Sequence, residues 1–318
     1  KGDDERTTVG GGSACTPELV DGVARLRDTL PVDELVLTDP ATDRLDVFRF
    51  ARRILARHHP PARITTAPGP DTALDGADAV LPLLQAGHRA ARAEDETWPL
   101  ECGCAGQETT GAGGPAKTLR TAPVRLDIAE HGRRANPDAW ITDFTDPVGI
   151  VTRALLQAGR RAAGLCNVAI GLQRKSAALL GAVPSRVHPD HVGLDHLTRE
   201  TAVRLDGPEG EDVLPGLLTA HGETIAAGLR LPLLTRLGTV PSSYPRYHYA
   251  HDEVVGEQRA KRSRATEVAA LARELPSRYA DPSLVLDAAL HGGRDRVQER
   301  EPGLGAALLG PDRFNAAP

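Results

Sequence analysis

The chain has 318 residues, a formal net charge of −5 made of mixed signs, only 3% aromatic residues and no methionine. That length suggests about two domains and a chain able to bury roughly three quarters of its unfolded surface. The balanced charge argues against nucleic acid or an anionic membrane as partner, and no apolar run approaches the ~20 residues of a membrane span. No signal-peptide pattern opens the chain, and Cys15, Cys102, Cys104 and Cys166 are too scattered for a disulfide framework. A soluble cytoplasmic protein is therefore expected.

The first strand is expected within residues 1–9, although only Thr7, Thr8 and Val9 suit a strand buried on both faces. Gly10-Gly11-Gly12-Ser13 follows, then Thr16 as a helix N-cap with Pro17 at the first helical position. Strand, glycines and helix N-terminus together present backbone N–H groups to a pyrophosphate. The second strand, 34–38, ends on Asp39, 27 residues past Gly12. A carboxylate there accepts hydrogen bonds from an adenosine ribose and favours NAD over NADP.

A helix over about 42–57, with Leu45, Val47, Phe48, Ala51, Ile54 and Leu55 on one face, leads to a third strand at 63–66. A fourth strand ends near Leu81, and the loop after it carries Arg92, Asp95 and Glu96, which by composition read as a solvated face. Gly106-Gln107-Glu108-Thr109-Thr110-Gly111 begins a long glycine loop, a feature that beside a nucleotide site is more often functional than not. A helix of about 117–135, a strand at 140–145, a helix to about Gly159 and a last strand at 161–165 complete a doubly wound parallel sheet. Residues 1–165 are thus expected to form a Rossmann-type NAD-binding domain. Residues 166–318 form a mixed, mainly helical substrate domain, with helices at 172–181, 210–229 and 262–275 and a charged, small-residue tail from Gly292.

Two residues past the sheet stand out. Cys166, in Gly164-Leu165-Cys166-Asn167-Val168, and His196, in Gly193-Leu194-Asp195-His196-Leu197, occupy similar settings near glycines. One reading is a buried thiol and a satisfied histidine. The other is a pair of ligands for a divalent metal whose remaining ligands are water and substrate oxygens, as suits Mn²⁺ gripping a vicinal diol. The stretch 241–249 packs Tyr244, Tyr247 and Tyr249 together in a tyrosine-poor chain, and reads equally as a packed knot or a site.

Taken together, the segments 10–13 and 16–20, Asp95-Glu96, the loop 106–111, Asp143-Phe144-Thr145, and the segments around Cys166 and His196 resemble glycoside hydrolase family 4. Asn167 after the thiol fits its 6-phospho-β-glucosidase branch. The resemblance implies a cytoplasmic glycosidase that uses NAD⁺ and Mn²⁺ or another divalent metal, acts on a phosphorylated β-glucoside, and forms a dimer or tetramer. It implies hydride removal from C3 by NAD⁺, loss of the C2 proton to a base beside the metal, elimination at C1, addition of water and return of the hydride. It assigns Cys166 and His196 to the metal, Tyr244, with Arg246 beside it, to the C2 proton, and Glu108 and Asn167 to the surroundings of the sugar. Gly10, Gly11, Gly12, Ser13 and Asp39 go to the cofactor. Arg92, Asp95, Asp146, Asn167 and Arg264 go to the substrate, with Arg264 on its 6-phosphate.

The chain departs from the family pattern at several places. Asp146 and Asp195 stand where Asn is usual, Gln85, Gly87 and His88 where an Arg and paired glycines are usual, and Ala14-Cys15 where a small residue and Tyr are usual. Against the family pattern, the substrate domain is also expected to be C-terminally shortened. Two other readings stay open: an NAD-binding homologue impaired or inactive in catalysis, and an NAD-dependent 2-hydroxyacid dehydrogenase. The second shares the cofactor half but leaves Cys166 and His196 unexplained.

Overall fold

A computed structural model of the chain describes residues 5–13, 16–41, 45–58, 62–194, 196–226 and 229–281. The tail from Gly292, the pair Ala14-Cys15 and Asp195 lie outside them. The elements run β1 (Glu5–Val9), α1 (Thr16–Arg25), β2 (Glu34–Thr38), α2 (Leu45–His58), β3 (Arg63–Thr66), α3 (Pro70–Leu74), β4 (Ala79–Pro82), α4 (His88–Glu101), α5 (Gly113–Ala135), β5 (Trp140–Asp143), α6 (Val148–Gln157) and β6 (Ala162–Gly164). The six strands pair in parallel in the order β3-β2-β1-β4-β5-β6. The order reverses between β1 and β4, and the crevice beyond their carboxyl ends is where open parallel sheets of this kind hold a dinucleotide. β1 begins earlier than its polar residues suggest, because Glu5 and Arg6 continue the ladder opposite Glu34 and Leu35. Backbone pairing with a neighbouring strand overrides side-chain polarity there.

The apolar face expected on α2 is real: Val47, Phe48, Phe50, Ala51, Ile54 and Leu55 pack with Leu35 and Leu37 of β2 and Val20 of α1. Each of these buried side chains larger than alanine contributes about 1.5–3 kcal/mol by leaving water. Thr16 does not act as an N-cap. It is the first residue of α1, and its buried hydroxyl has no partner among the described residues.

Beyond β6 come α7 (Val168–Leu180), β7 (Val187–Leu194), β8 (Leu197–Leu205), β9 (Glu211–Asp212), α8 (Leu214–Ala226), α9 (Leu231–Leu237), β10 (Val240–Pro241), α10 (Arg246–Tyr249), α11 (His251–Ala260) and α12 (Arg264–Ala280). The chain divides into two compact units, the second built on Cys166–Lys261. Its centre is an antiparallel sheet in the order β10-β8-β7, with β9 on β8, covered by Val168, Leu172, Leu214, Leu217, Ile225 and Leu234. The unit is mixed, and its long β7–β8 hairpin falls between the helices anticipated for it. α12 belongs to the first unit instead. Tyr279 stacks on Phe50 with ring centroids 4.7 Å apart, Arg53 donates to the Tyr279 carbonyl at 2.8 Å, and Arg89 to that of Val268 at 3.1 Å. One division of the chain after residue 165 therefore does not describe residues 262–281. Among the described residues, no helix is long and apolar enough to cross a membrane.

Candidate functional site

The first group of residues sits at the carboxyl ends of β1 and β2. Gly10 and Gly11 both donate to the Thr38 carbonyl at 2.8 Å, and Ser13 donates to the Gly10 carbonyl at 3.0 Å. Gly10 has a φ of +84°, and a Cβ there would lie 2.6 Å from the Leu84 nitrogen, so only glycine fits. Asp39 accepts from the Gly12 N–H at 2.9 Å and from the Ala41 N–H at 2.8 Å, which ties the loop to the end of β2. The loop is thus a bonded scaffold rather than a row of spare donors. In the first turn of α1 the Thr16 N–H already donates to the Ser13 carbonyl at 3.0 Å and Pro17 has no N–H, so an anion there would meet the Glu18 N–H and the positive end of the helix dipole. A loop too tight for any side chain, leading into a ten-residue helix, fits a pyrophosphate.

The second group lies in the same unit. Arg92, Asp95 and Glu96 are on α4, not on a loop, and the expectation of a solvated face is wrong: Asp95 and Glu96 are buried at 1% and 7% exposure. Each carboxylate has found a cation. Arg92 contacts Glu96 at 2.9 Å and Glu108 at 2.9 Å, Lys117 reaches Glu108 at 2.6 Å, and Arg120 pairs with Asp95. Glu96 also accepts the Ala265 N–H at 2.7 Å, which fixes the start of α12 and with it Arg264. Burial works against charge on Arg92, but Glu108 and Glu96 outweigh it and raise the guanidinium, with Asp146 adding to the effect. Arg264 is instead lowered, first by burial and then by repulsion from Arg92. Two neighbouring guanidiniums, one of them disfavoured where it stands, suit a multiply charged anion such as a phosphate.

The third group lies in the second unit. Cys166 Sγ and His196 Nε2 are 3.3 Å apart, and the Tyr244 ring lies 4.4 Å from that of His196, centroid to centroid. Ser242 locks this corner: its hydroxyl donates to the His196 carbonyl at 2.6 Å and accepts the Tyr244 N–H at 3.3 Å. Two ligands of one metal, with bonds of about 2.3 Å to sulfur and 2.0–2.1 Å to nitrogen, stand roughly 3.1–3.6 Å apart for angles between square and tetrahedral. The observed spacing falls in that interval, so the pair fits a divalent ion. Among the described residues no group of three His, Cys, Asp or Glu side chains converges, so the other ligands would be water or substrate. Asn167 sits at the N-cap of α7, with its Oδ1 3.9 Å from the thiol. The Arg246 guanidinium pairs with Glu257 of α11 at 3.1 Å.

A model of the family 4 glycosyl hydrolases matches residues 6–182, more than half of the chain. The chain belongs to that family. Among family 4 relatives, a probable 6-phospho-β-glucosidase of Bacillus subtilis is 35% identical over 294 residues, spanning 88% of this chain and 66% of its own length. The 6-phospho-β-glucosidase of Escherichia coli is 33% identical over 296 residues, spanning 87% of this chain and 65% of its own. The chain thus spans just under two thirds of the length of these two relatives. The 6-phospho-β-glucosidase of Thermotoga maritima, solved with manganese, NAD⁺ and glucose-6-phosphate, superposes with a TM-score of 0.81 at 26% identity, over 90% of this chain and 70% of that one.

For a family 4 chain, the sequence reading left some residues out. Lys117 and Arg120 complete the charged cluster, and Ser242 holds His196 and Tyr244 together. Lys117 and Arg120 lie on α5, three residues apart and so on one face, just behind the glycine loop. That spacing was the available signal. Ser242 carried none beyond its nearness to Tyr244.

Proposed function

We propose that this chain carries the NAD⁺- and divalent-metal-dependent cleavage of 6-phospho-β-glucosides. The observation that carries the reading is the corner formed by Cys166, His196 and Tyr244, where a thiol and an imidazole at ligand spacing adjoin a phenol. When bound, NAD⁺ supplies a hydride acceptor and the divalent ion a Lewis acid. The glycine loop and the first turn of α1 hold the pyrophosphate, and Asp39 braces that loop while keeping lone pairs for a ribose hydroxyl. Arg264 and Arg92 bind the 6-phosphate. Glu108, held between Arg92 and Lys117, accepts from sugar hydroxyls. Asn167 orients the sugar next to Cys166. Tyr244 takes the proton from C2. A phenol with an ordinary pKa of about 10 needs nearby positive charge for that role at neutral pH. The net outcome is hydrolysis with the cofactor restored.

The test is release of p-nitrophenol from p-nitrophenyl-β-D-glucopyranoside 6-phosphate, under reducing conditions, with and without NAD⁺ and Mn²⁺. Turnover should require both cofactors and the phosphate, and Tyr244→Phe should lose at least a hundredfold in kcat. A wild-type chain that binds NAD⁺ and Mn²⁺ yet releases no p-nitrophenol would overturn the reading and leave an NAD-binding homologue without turnover.

A further inference from the structure

We propose that Arg125 is a positioning residue for the dinucleotide, holding the backbone floor under the glycine loop in register with the turn at Thr145 and Asp146. The inference rests on the NAD⁺ reading above and deepens it. Arg125 projects from the middle of α5 and is 1% exposed. Its Nε donates to Asp143 Oδ1 at 3.0 Å, at the end of β5. Its Nη2 donates to the Leu84 carbonyl at 2.7 Å, just past β4, and to the Thr145 hydroxyl. One guanidinium thus joins the carboxyl ends of two adjacent strands with the turn that carries Asp146.

The Leu84 end of this clamp is what reaches the cofactor loop. A Cβ on Gly10 would lie 2.6 Å from the Leu84 nitrogen and 3.0 Å from the Leu83 carbonyl carbon, so the loop rests directly on the Leu83–Leu84 peptide. With no slack at that contact, any shift of the peptide is passed to Gly10 and on to Gly11 and Gly12.

Stability alone is a poor reason for such a pair. Arg125 Nη1 and Asp143 Oδ2 have no hydrogen-bond partner among the described residues. Burial pushes the Asp143 carboxyl up, against the pull of Arg125 and of Thr145. A buried ion pair with unmet hydrogen bonds is commonly matched or bettered in stability by apolar residues of similar volume. What apolar residues lack is the fork that fixes Leu84, Asp143 and Thr145 at once.

Three variants of the full chain test the proposal, each first shown to melt cooperatively. Arg125→Lys keeps the charge opposite Asp143 but has one nitrogen instead of a fork. Arg125→Met with Asp143→Val removes both charges together, so that no lone ion is left buried. Thr145→Val removes a single arm at a partly exposed turn. Calorimetric titration with NAD⁺ should show affinity falling at least tenfold in the first two and a few-fold in the third. Amide exchange at Gly10–Gly12 should quicken in parallel. A purely structural brace would lower the melting temperature and leave NAD⁺ affinity untouched. A Kd within twofold of wild type in the folded variants therefore overturns the positioning role and leaves the cofactor reading intact. A folded wild-type chain that takes up no NAD⁺ overturns both.

Discussion

Asp146 is one atom type away from a neutral amide, and that difference acts on the charged cluster around Arg92. Its carboxylate is close enough to help hold Arg92 protonated, so it uses up positive field that an incoming phosphate would otherwise meet. Asp146→Asn should therefore lower KM for a phosphorylated β-glucoside by about three- to tenfold with kcat little changed; steady-state kinetics showing an unchanged or higher KM would remove the electrostatic argument. Cys166 gives a second test at this scale. Serine in its place offers a hydroxyl that stays neutral, so Cys166→Ser should weaken Mn²⁺ binding by more than tenfold while NAD⁺ affinity is kept. Titration of the free-Mn²⁺ paramagnetic resonance signal reads this directly, and equal affinity would mean that the thiol is no ligand. The burial of Asp95 and Glu96 was not legible in advance. Glu96 meets Arg92 one turn away on α4, but Arg120, which pairs with Asp95, and Ala265, which donates to Glu96, lie 25 and 169 residues further along the chain, beyond the reach of any helical period.

Elements were legible where backbone chemistry is local. The glycines at 10–12 and the acid at 39 marked the β1–α1 turn, a loop too tight for a Cβ at Gly10 or Gly11. Val47, Phe48, Ala51, Ile54 and Leu55 of the α2 pattern all enter the packed core. The β7–β8 hairpin was missed for an equally physical reason. β7 carries Pro189, Asp190 and Gly193, residues that disfavour strands, and it tolerates them as an edge strand paired on one side only. Loop closure over α4 offers a prediction at this scale. A Cβ on Gly106 would fall 1.8 Å from the Glu96 carbonyl oxygen, so the loop bearing Glu108 cannot settle on α4 with any side chain at that position. Gly106→Ala should drop turnover at least tenfold and lower the melting temperature by several degrees, as the Arg92–Glu108–Lys117 network opens. Unchanged kinetics would show that the network is not needed for the reaction.

For the molecule as a whole, the doubly wound parallel sheet followed from the alternation of strands and helices, since crossovers of one hand leave few arrangements. The placement of α12 did not follow, because an amphipathic helix does not say which unit it will cover. One pH-dependent contribution to stability comes from a group that no motif marked. Glu200, on β8, is fully buried, accepts only the Ser176 hydroxyl at 3.0 Å, and has one oxygen with no partner among the described residues. Burial pushes its carboxyl up to about 7, against smaller opposing effects of Ser176 and Lys175. The folded state therefore prefers the protonated acid. Below the unfolded pKa of about 4.3 the group is neutral in both states and costs nothing. Stability falls as pH rises from there to about 7 and then levels off, with a loss on the order of 3 kcal/mol. Glu200→Gln should remove this slope. Melting followed by circular dichroism at pH 5 and pH 8 should show the wild type losing several degrees more than the variant over that interval, whereas parallel losses would mean that Glu200 stays ionised, or finds a partner, in the folded chain.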